Sequence, residues 1–140
     1  PKLEVNLRRL GFEGVEIVQG DARTPQDVLG DRDFDAILLD VPCSNSGVLR
    51  RRSDARWRID IDRLKTLNIL QFEILTACAM RLRSGGRLVY STCSLEACEN
   101  EVLVSQWVAA HPDFKLDQEV KAFPPEAQTD GAFAALIRRR

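Results

Sequence analysis

Apolar positions along the chain change their period several times, and each change marks an element. Leu3, Leu7 and Leu10 recur at helical spacing with Gly11 behind them, which predicts the end of a helix over residues 2–10. "VEIV" (15–18) is a β-branched run between Gly14 and Gly20 and predicts a short strand. Thr24 as N-cap and Pro25 at the first helical position open a short helix. "FDAILLD" (34–40) is a continuous apolar run ending in Asp, the pattern of a parallel strand buried on both faces.

Over residues 60–82, Ile61, Leu64, Leu67, Ile74, Leu75, Cys78 and Leu82 keep close to a 3.6-residue period, and Gly85-Gly86 closes that long helix. "RLVYSTC" (87–93) is the next buried strand. Leu95 to Ala110 is helical and stops at His111-Pro112. "FKLD" (114–117) and "GAFAALIR" (131–138) form a last strand pair, with the turn-rich "KAFPPEAQTDG" (121–131) before the second of them.

Strands alternating with helices predict an α/β fold with a mostly parallel sheet, and ligands in such sheets lie beyond the carboxyl ends of the strands. Asp40 and Cys43 follow one strand and Cys93 ends the next, so neighbouring strands would aim both thiols into one crevice. Asp21, just past the strand at 15–18, is expected there too.

The chain has 140 residues, 44% hydrophobic, and a net charge of −1, so one domain with a core is expected and no whole-chain field announces a partner. No run is apolar enough to span a membrane. Charge is uneven, however: Arg50, Arg51, Arg52, Arg56, Arg58, Arg63 and Lys65 crowd one stretch. That stretch is either a solvated face or a phosphate-contacting patch. Cys43, Cys78, Cys93 and Cys98 have no C-x-x-C spacing, which argues against a zinc site, and reduced thiols in a cytoplasmic protein are expected.

A cysteine at a strand end is either a small buried hydrophobe or a nucleophile. His111, at a helix end, is the one histidine and is expected at the surface or in a cap, so neither thiol has a histidine partner. A substrate that needs a thiolate but no histidine is a pyrimidine ring. Thiolate addition at carbon 6 makes carbon 5 able to attack an electrophilic methyl group, and a second thiol can assist release.

"LLDVPCSNSGVLRRRSDARW" (38–57) and "LVYSTCSLEACENE" (88–101) resemble two motifs of the bacterial RNA cytosine-5 methyltransferases of the Sun/Fmu type, which act on 16S ribosomal RNA. Asp40, Pro42, Cys43, Ser44, Gly47, Arg50, Arg51, Asp54 and Trp57 match the first, and Tyr90, Thr92, Cys93, Ser94, Glu99, Asn100 and Glu101 the second. "QGDAR" (19–23) and "TDGAFAALIRR" (129–139) resemble two further family segments. The resemblance implies a Rossmann-like, S-adenosyl-L-methionine-dependent methyltransferase fold with Cys93 as nucleophile and Cys43 assisting product release. It further implies Asp40 beside the methionine end of the cofactor and the target base, Asp21 on the adenine amino group, and Arg50, Arg51 and Arg52 on RNA.

The family's Gly-rich cofactor loop has no match here, and "GFEG" (11–14) precedes a strand instead of following one. The chain is therefore expected to be the C-terminal portion of a single catalytic domain, its first strands lying upstream, and to bind S-adenosylmethionine poorly by itself. Two alternatives stay open: a catalytically silent RNA-binding module, and a DNA cytosine-5 methyltransferase with Cys43 as nucleophile. An amino-group methyltransferase would carry Pro-Pro-aromatic where this chain has "VPC". Cys78, Trp107 and Tyr90 are expected in the core, Cys98 in a structural role, and Trp57 either packed or stacking on a base.

Overall fold

A computed structural model describes residues 2–140. Helix α1 (Lys2–Arg9) ends as its spacing predicts. Gly11 takes a φ of 74°, which a residue without Cβ adopts freely, and the Phe12 N–H reaches back to the Leu7 carbonyl at 3.0 Å. A one-turn helix, α2 (Gln26–Leu29), follows Pro25. The core of the molecule is a four-stranded sheet in the order β1-β2-β4-β3, made of β1 (Phe34–Asp40), β2 (Leu82–Thr92), β3 (Phe114–Ala122) and β4 (Ala132–Arg139).

Strands β1 and β2 are parallel neighbours, with Ile37 opposite Leu88 and Asp40 opposite Ser91. The long crossover between them contains α3 (Ile61–Ala79), which starts where Asp60 caps the Arg63 N–H at 2.8 Å. Strand β4 runs antiparallel to both β2 and β3. Helices α3 and α4 (Glu101–Ala110) pack on one face of the sheet. Ile74, Leu75 and Ala79 from α3 and Leu103, Val104 and Trp107 from α4 meet Leu39, Leu88, Tyr90, Phe133, Ala135 and Ile137. Leu75, Leu88, Tyr90, Trp107 and Ile137 are fully buried, and each contributes roughly 1.5–3 kcal/mol by leaving water. Period-2 alternation in β2 puts Leu88, Tyr90 and Thr92 on that face, which is why the strand end next to Cys93 is anchored.

Several expectations are corrected. Residues 15–18 form no strand: they pair with no other segment among the described residues, and Val15, Ile17 and Val18 are exposed. An extended run becomes a strand only when a neighbour takes its backbone hydrogen bonds, and none of the described residues offers one. Strand β1 is not buried on both faces. It is an edge of the sheet, and Leu38, pointing away from α3 and α4, is 72% exposed. The long helix stops at Ala79, and Gly85-Gly86 lies inside β2, where the pairing skips from Phe34–Leu82 to Ala36–Arg87. The helix expected over 95–110 begins as a 3₁₀ turn (Ala97–Glu99) and becomes α4 only after Asn100, whose φ of −116° and ψ of −112° break the run. Strand β3 extends to Ala122, well past the four residues expected, and the short helix α5 (Pro124–Ala127) interrupts the turn-rich loop.

Candidate active site

Because β1 and β2 are adjacent and parallel, the loops leaving their carboxyl ends meet. Cys43 and Cys93 face each other with their sulfurs 3.4 Å apart, as free thiols. Cys43 is buried and Cys93 partly open. Burial pushes the Cys43 thiol up to about 12; the hydrogen bond to Cys93 adds to this, against backbone N–H groups of Asn45 and Cys93 that lower it. Cys43 therefore keeps its proton at neutral pH.

The two loops are tied together behind the thiols. The Ser44 N–H donates to Glu99 Oε1 at 3.0 Å, and the Ser44 and Ser94 hydroxyls both donate to Glu99 Oε2 at 2.5 Å. Gln71 of α3 donates its amide to Glu99 Oε1 and to the Pro42 carbonyl, each at 2.8 Å. Ser46 accepts from the Leu95 N–H at 2.8 Å. Asn100 accepts from the Thr92 hydroxyl at 2.6 Å and donates to the Ser94 carbonyl at 2.9 Å. Ser44, Ser46, Gln71, Thr92, Ser94, Glu99 and Asn100 are all buried, and each is held by at least one hydrogen bond, although the Gln71 side-chain oxygen has no partner among the described residues. None of these ties follows from the sequence reading, although two signals mark them. Gln71 is a polar residue on the apolar stripe of α3, four positions past Leu67 and three before Ile74. A serine follows both Cys43 and Cys93.

Gly47 closes the site from another side. Its N–H donates to the Cys93 carbonyl at 3.0 Å, and its own carbonyl accepts from the Gly131 N–H at 2.8 Å. A Cβ at Gly47 would stand 2.6 Å from the Gly131 oxygen and 2.8 Å from the Cys93 oxygen, so only glycine fits. The Asp130-Gly131 approach to β4 is thereby laced to both cysteine loops.

Asp40 ends β1 and lines an open hollow of about 420 Å³ together with Leu38, Ser91, Thr92, Cys93 and apolar residues of β3 and β4. Its carboxyl group has no partner among the described residues. Asp21 is elsewhere: it lines a separate hollow against α3 with Arg23, Phe72, Glu73 and Thr76, so the expectation that it shares the crevice of the thiols is not met. Arg23 binds it through its guanidinium at 2.7 Å and its backbone N–H at 2.9 Å, and this holds the Asp21 carboxyl down at about 2. With no strand over 15–18, nothing directs Asp21 toward β1.

Arg50, Arg51 and Arg52 are exposed on the turn after Gly47. Arg51 is tied to Asp130 at 2.6 Å, while the side chains of Arg50 and Arg52 are unpartnered among the described residues. Trp57 is 83% exposed, which removes the packing reading. Trp107 is in the core and donates its indole N–H to Thr76 at 2.8 Å. Tyr90 is buried too and donates to the Glu99 carbonyl at 2.7 Å. His111 caps α4, its Nδ1 2.7 Å from the Trp107 carbonyl and its ring stacked on Trp107 at 4.1 Å. Cys78 packs partly buried against the core, and the Cys98 carbonyl accepts from Asn68 at 2.6 Å. No helix among the described residues is long and apolar enough to cross a membrane.

The sequence model of the family described as 16S rRNA methyltransferase RsmB/F matches residues 1–138. The ribosomal RNA small subunit methyltransferase B of Serratia proteamaculans (strain 568) is 47% identical over 116 residues, covering 82% of this chain and 27% of the relative. The protein of the same name from Klebsiella pneumoniae (strain 342) is 43% identical over 144 residues, covering 96% of this chain and 33% of its own length. The chain thus spans a third or less of the length of these relatives. Among solved structures, NSun6 from Pyrococcus horikoshii with SFG, an analogue of S-adenosylmethionine, superposes with a TM-score of 0.86 at 33% identity, over 99% of this chain and 38% of the other. A methyltransferase homologue from the same organism gives a TM-score of 0.84 at 30% identity, over 99% and 49%.

Proposed function

The chain belongs to the RsmB/F family of 16S rRNA methyltransferases, and on that premise we propose that its parent protein transfers a methyl group from S-adenosylmethionine to carbon 5 of a cytosine in RNA. The substrate on this reading is 16S ribosomal RNA, which sets the work in the cytoplasm. The observation that carries the reading is the pair of thiols 3.4 Å apart at the ends of two adjacent parallel strands.

Cys93, the more open thiol, adds to carbon 6 of the cytosine, and the ring gains a nucleophilic carbon 5. S-adenosylmethionine, when bound, supplies the electrophilic methyl group. After transfer, water in the open hollow takes the proton from carbon 5 as the carbon–sulfur bond breaks, and the electron pair of that bond returns to Cys93 as a thiolate, toward which Cys43 can turn its S–H. Cys43 lies within reach of that sulfur and, protonated at neutral pH, assists the release. This division of labour disfavours the DNA-type alternative, in which Cys43 would have to be the nucleophile. The target base must leave its stack to reach the thiols.

The cofactor fit is partial. Asp40, which lines the same hollow as Cys93 and has no partner among the described residues, suits the cationic methionine end. An adenine amino group at Asp21 would have to displace the Arg23 guanidinium. The activity is accordingly assigned to the parent protein, and this stretch alone binds S-adenosylmethionine weakly. Arg50, Arg51 and Arg52 contact the RNA backbone in this reading.

The test uses the parent protein, methyl-labelled S-adenosylmethionine and 16S rRNA. Label recovered as 5-methylcytidine, and lost in Cys93→Ala, supports the proposal. Label on an exocyclic nitrogen or a ribose hydroxyl refutes it.

A further inference from the structure

Helix α3 turns one polar side chain inward. Gln71 shares the buried face of the helix with Ile74, Leu75 and Ala79 and is itself fully buried. Its amide nitrogen donates to two acceptors at once, the Pro42 carbonyl and Glu99 Oε1, each at 2.8 Å. A carbonyl only accepts, which fixes the way the amide points. Its oxygen is then left with no partner among the described residues. An unpaired buried amide oxygen weakens a fold, and an apolar side chain of the same length would fill the space without it. Stability therefore does not account for this residue.

The two bonds hold the backbone on either side of Cys43. The Pro42 carbonyl belongs to the planar peptide unit that also carries the Cys43 nitrogen and Cα, so a grip on that oxygen orients the plane from which Cys43 departs. The next plane joins the Cys43 carbonyl to the Ser44 N–H. That N–H donates at 3.0 Å to Glu99 Oε1, the same oxygen that Gln71 holds. With both planes fixed, the Cys43 side chain keeps little besides its χ1 rotation, and its sulfur lies 3.4 Å from that of Cys93. Gln71 has no hydrogen bond to residues 92–95 among the described residues and reaches Ser94 only through Glu99.

We propose that Gln71 is a positioning residue of this site, which holds Cys43 against the Cys93 sulfur by fixing the two peptide planes around it. The inference rests on the release role proposed for Cys43. Loss of Gln71 frees Cys43 from behind while addition by Cys93 goes on, so release lags and a covalent RNA adduct builds up. Asn68, one turn earlier on α3, is the natural comparison. Its amide donates to the Cys98 carbonyl at 2.6 Å and ties the helix to the same 3₁₀ turn, with no hydrogen bond to residues 42–44 among the described residues. Loss of Asn68 loosens that helix contact and leaves the thiols in place.

The experiment compares Gln71→Met, which keeps the length of the side chain and removes its donor, with Asn68→Ala and the wild type. This chain is labelled with iodoacetamide, and each cysteine is followed by peptide mass. Cys43 is buried, and in Gln71→Met it labels about three- to tenfold faster, the size of one lost hydrogen bond, while Cys78 and Cys98 keep their wild-type rates. In the parent protein with 16S rRNA and S-adenosylmethionine, Gln71→Met accumulates the protein–RNA adduct expected of Cys43→Ala, and its turnover falls about tenfold or more. Asn68→Ala changes neither the Cys43 rate nor the adduct. Gln71→Leu takes the place of Gln71→Met if that variant does not fold. Cys43 labelling that is unchanged, or that rises in step with Cys78 and Cys98, overturns the inference, and so does failure of both variants to fold. Faster labelling without an adduct overturns it where Cys43→Ala does trap one. If Cys43→Ala traps none either, the proposed function has failed, and the labelling alone decides whether Gln71 positions Cys43.

Discussion

Ser44 and Ser94, each one residue beyond a thiol, donate their hydroxyls to the same oxygen of Glu99, both at 2.5 Å. This shared acceptor explains why one small domain places a Cys-Ser pair after each of two neighbouring strands. The cysteines face the crevice, and the serines fasten their loops to one buried carboxyl group. The distance between the sulfurs is set from behind.

Removing that fastening is expected to loosen the whole site. Glu99→Ala leaves the Ser44 N–H buried without an acceptor and removes the shared acceptor of the Ser44 and Ser94 hydroxyls and of the Gln71 amide, which keep only each other and the Pro42 carbonyl, and is expected to destabilise the chain by about 3–5 kcal/mol. Glu99→Gln retains part of the acceptor capacity and is expected to lose about 1–2 kcal/mol. Urea unfolding of both variants checks the order.

The Cys43 thiol gives the fold an alkaline limit. Its pKa rises from an ordinary 9.0 to about 12 in the folded chain, so the fold binds this proton more tightly than the unfolded chain does. The stability it contributes is complete below pH 9 and is lost as pH rises through 12. Denaturation midpoints measured from pH 8 to 11 are expected to fall more gently in Cys43→Ala than in the wild type.

The arginine turn divides unevenly. Arg50 and Arg52 are exposed and without an ion-pair partner among the described residues, whereas Arg51 is engaged by Asp130. Replacing Arg50 or Arg52 with Gln in the parent protein is expected to weaken RNA binding and to reduce the slope of log affinity against log salt by about 0.7–0.9 per residue. Arg51→Gln is expected to change the slope less. Filter binding at several salt concentrations separates the three.

Much of this was legible in the sequence, and the misses have physical causes. "FDAILLD" and "RLVYSTC" read as strands of a largely parallel sheet because continuous apolar runs joined by a long helix have few other solutions, and β1 matches its expected bounds residue for residue; that the two strands are neighbours is a finding of the structure. Once they are neighbours, the two thiols converge, as the sequence reading expected of adjacent strands. "VEIV" has the composition of a strand but no pairing partner, and composition alone does not supply one. Leu38 could not be seen to be exposed, because an apolar run does not say which of its faces another element covers. The Glu99 cluster was hidden for a different reason. It joins residues up to 55 positions apart, and only folding brings their hydrogen-bond groups within reach. Trp57 and Trp107 look alike in sequence, yet one is 83% exposed and the other fully buried.

The division of labour between Cys93 and Cys43 is tested most directly by trapping the covalent species. Parent protein carrying Cys43→Ala or Cys93→Ala is mixed with 16S rRNA and S-adenosylmethionine and resolved on a denaturing gel. The account predicts that Cys43→Ala accumulates a protein–RNA adduct, because addition proceeds while release is slowed, and that Cys93→Ala forms none. An adduct from Cys93→Ala and none from Cys43→Ala would contradict it by reversing the two roles.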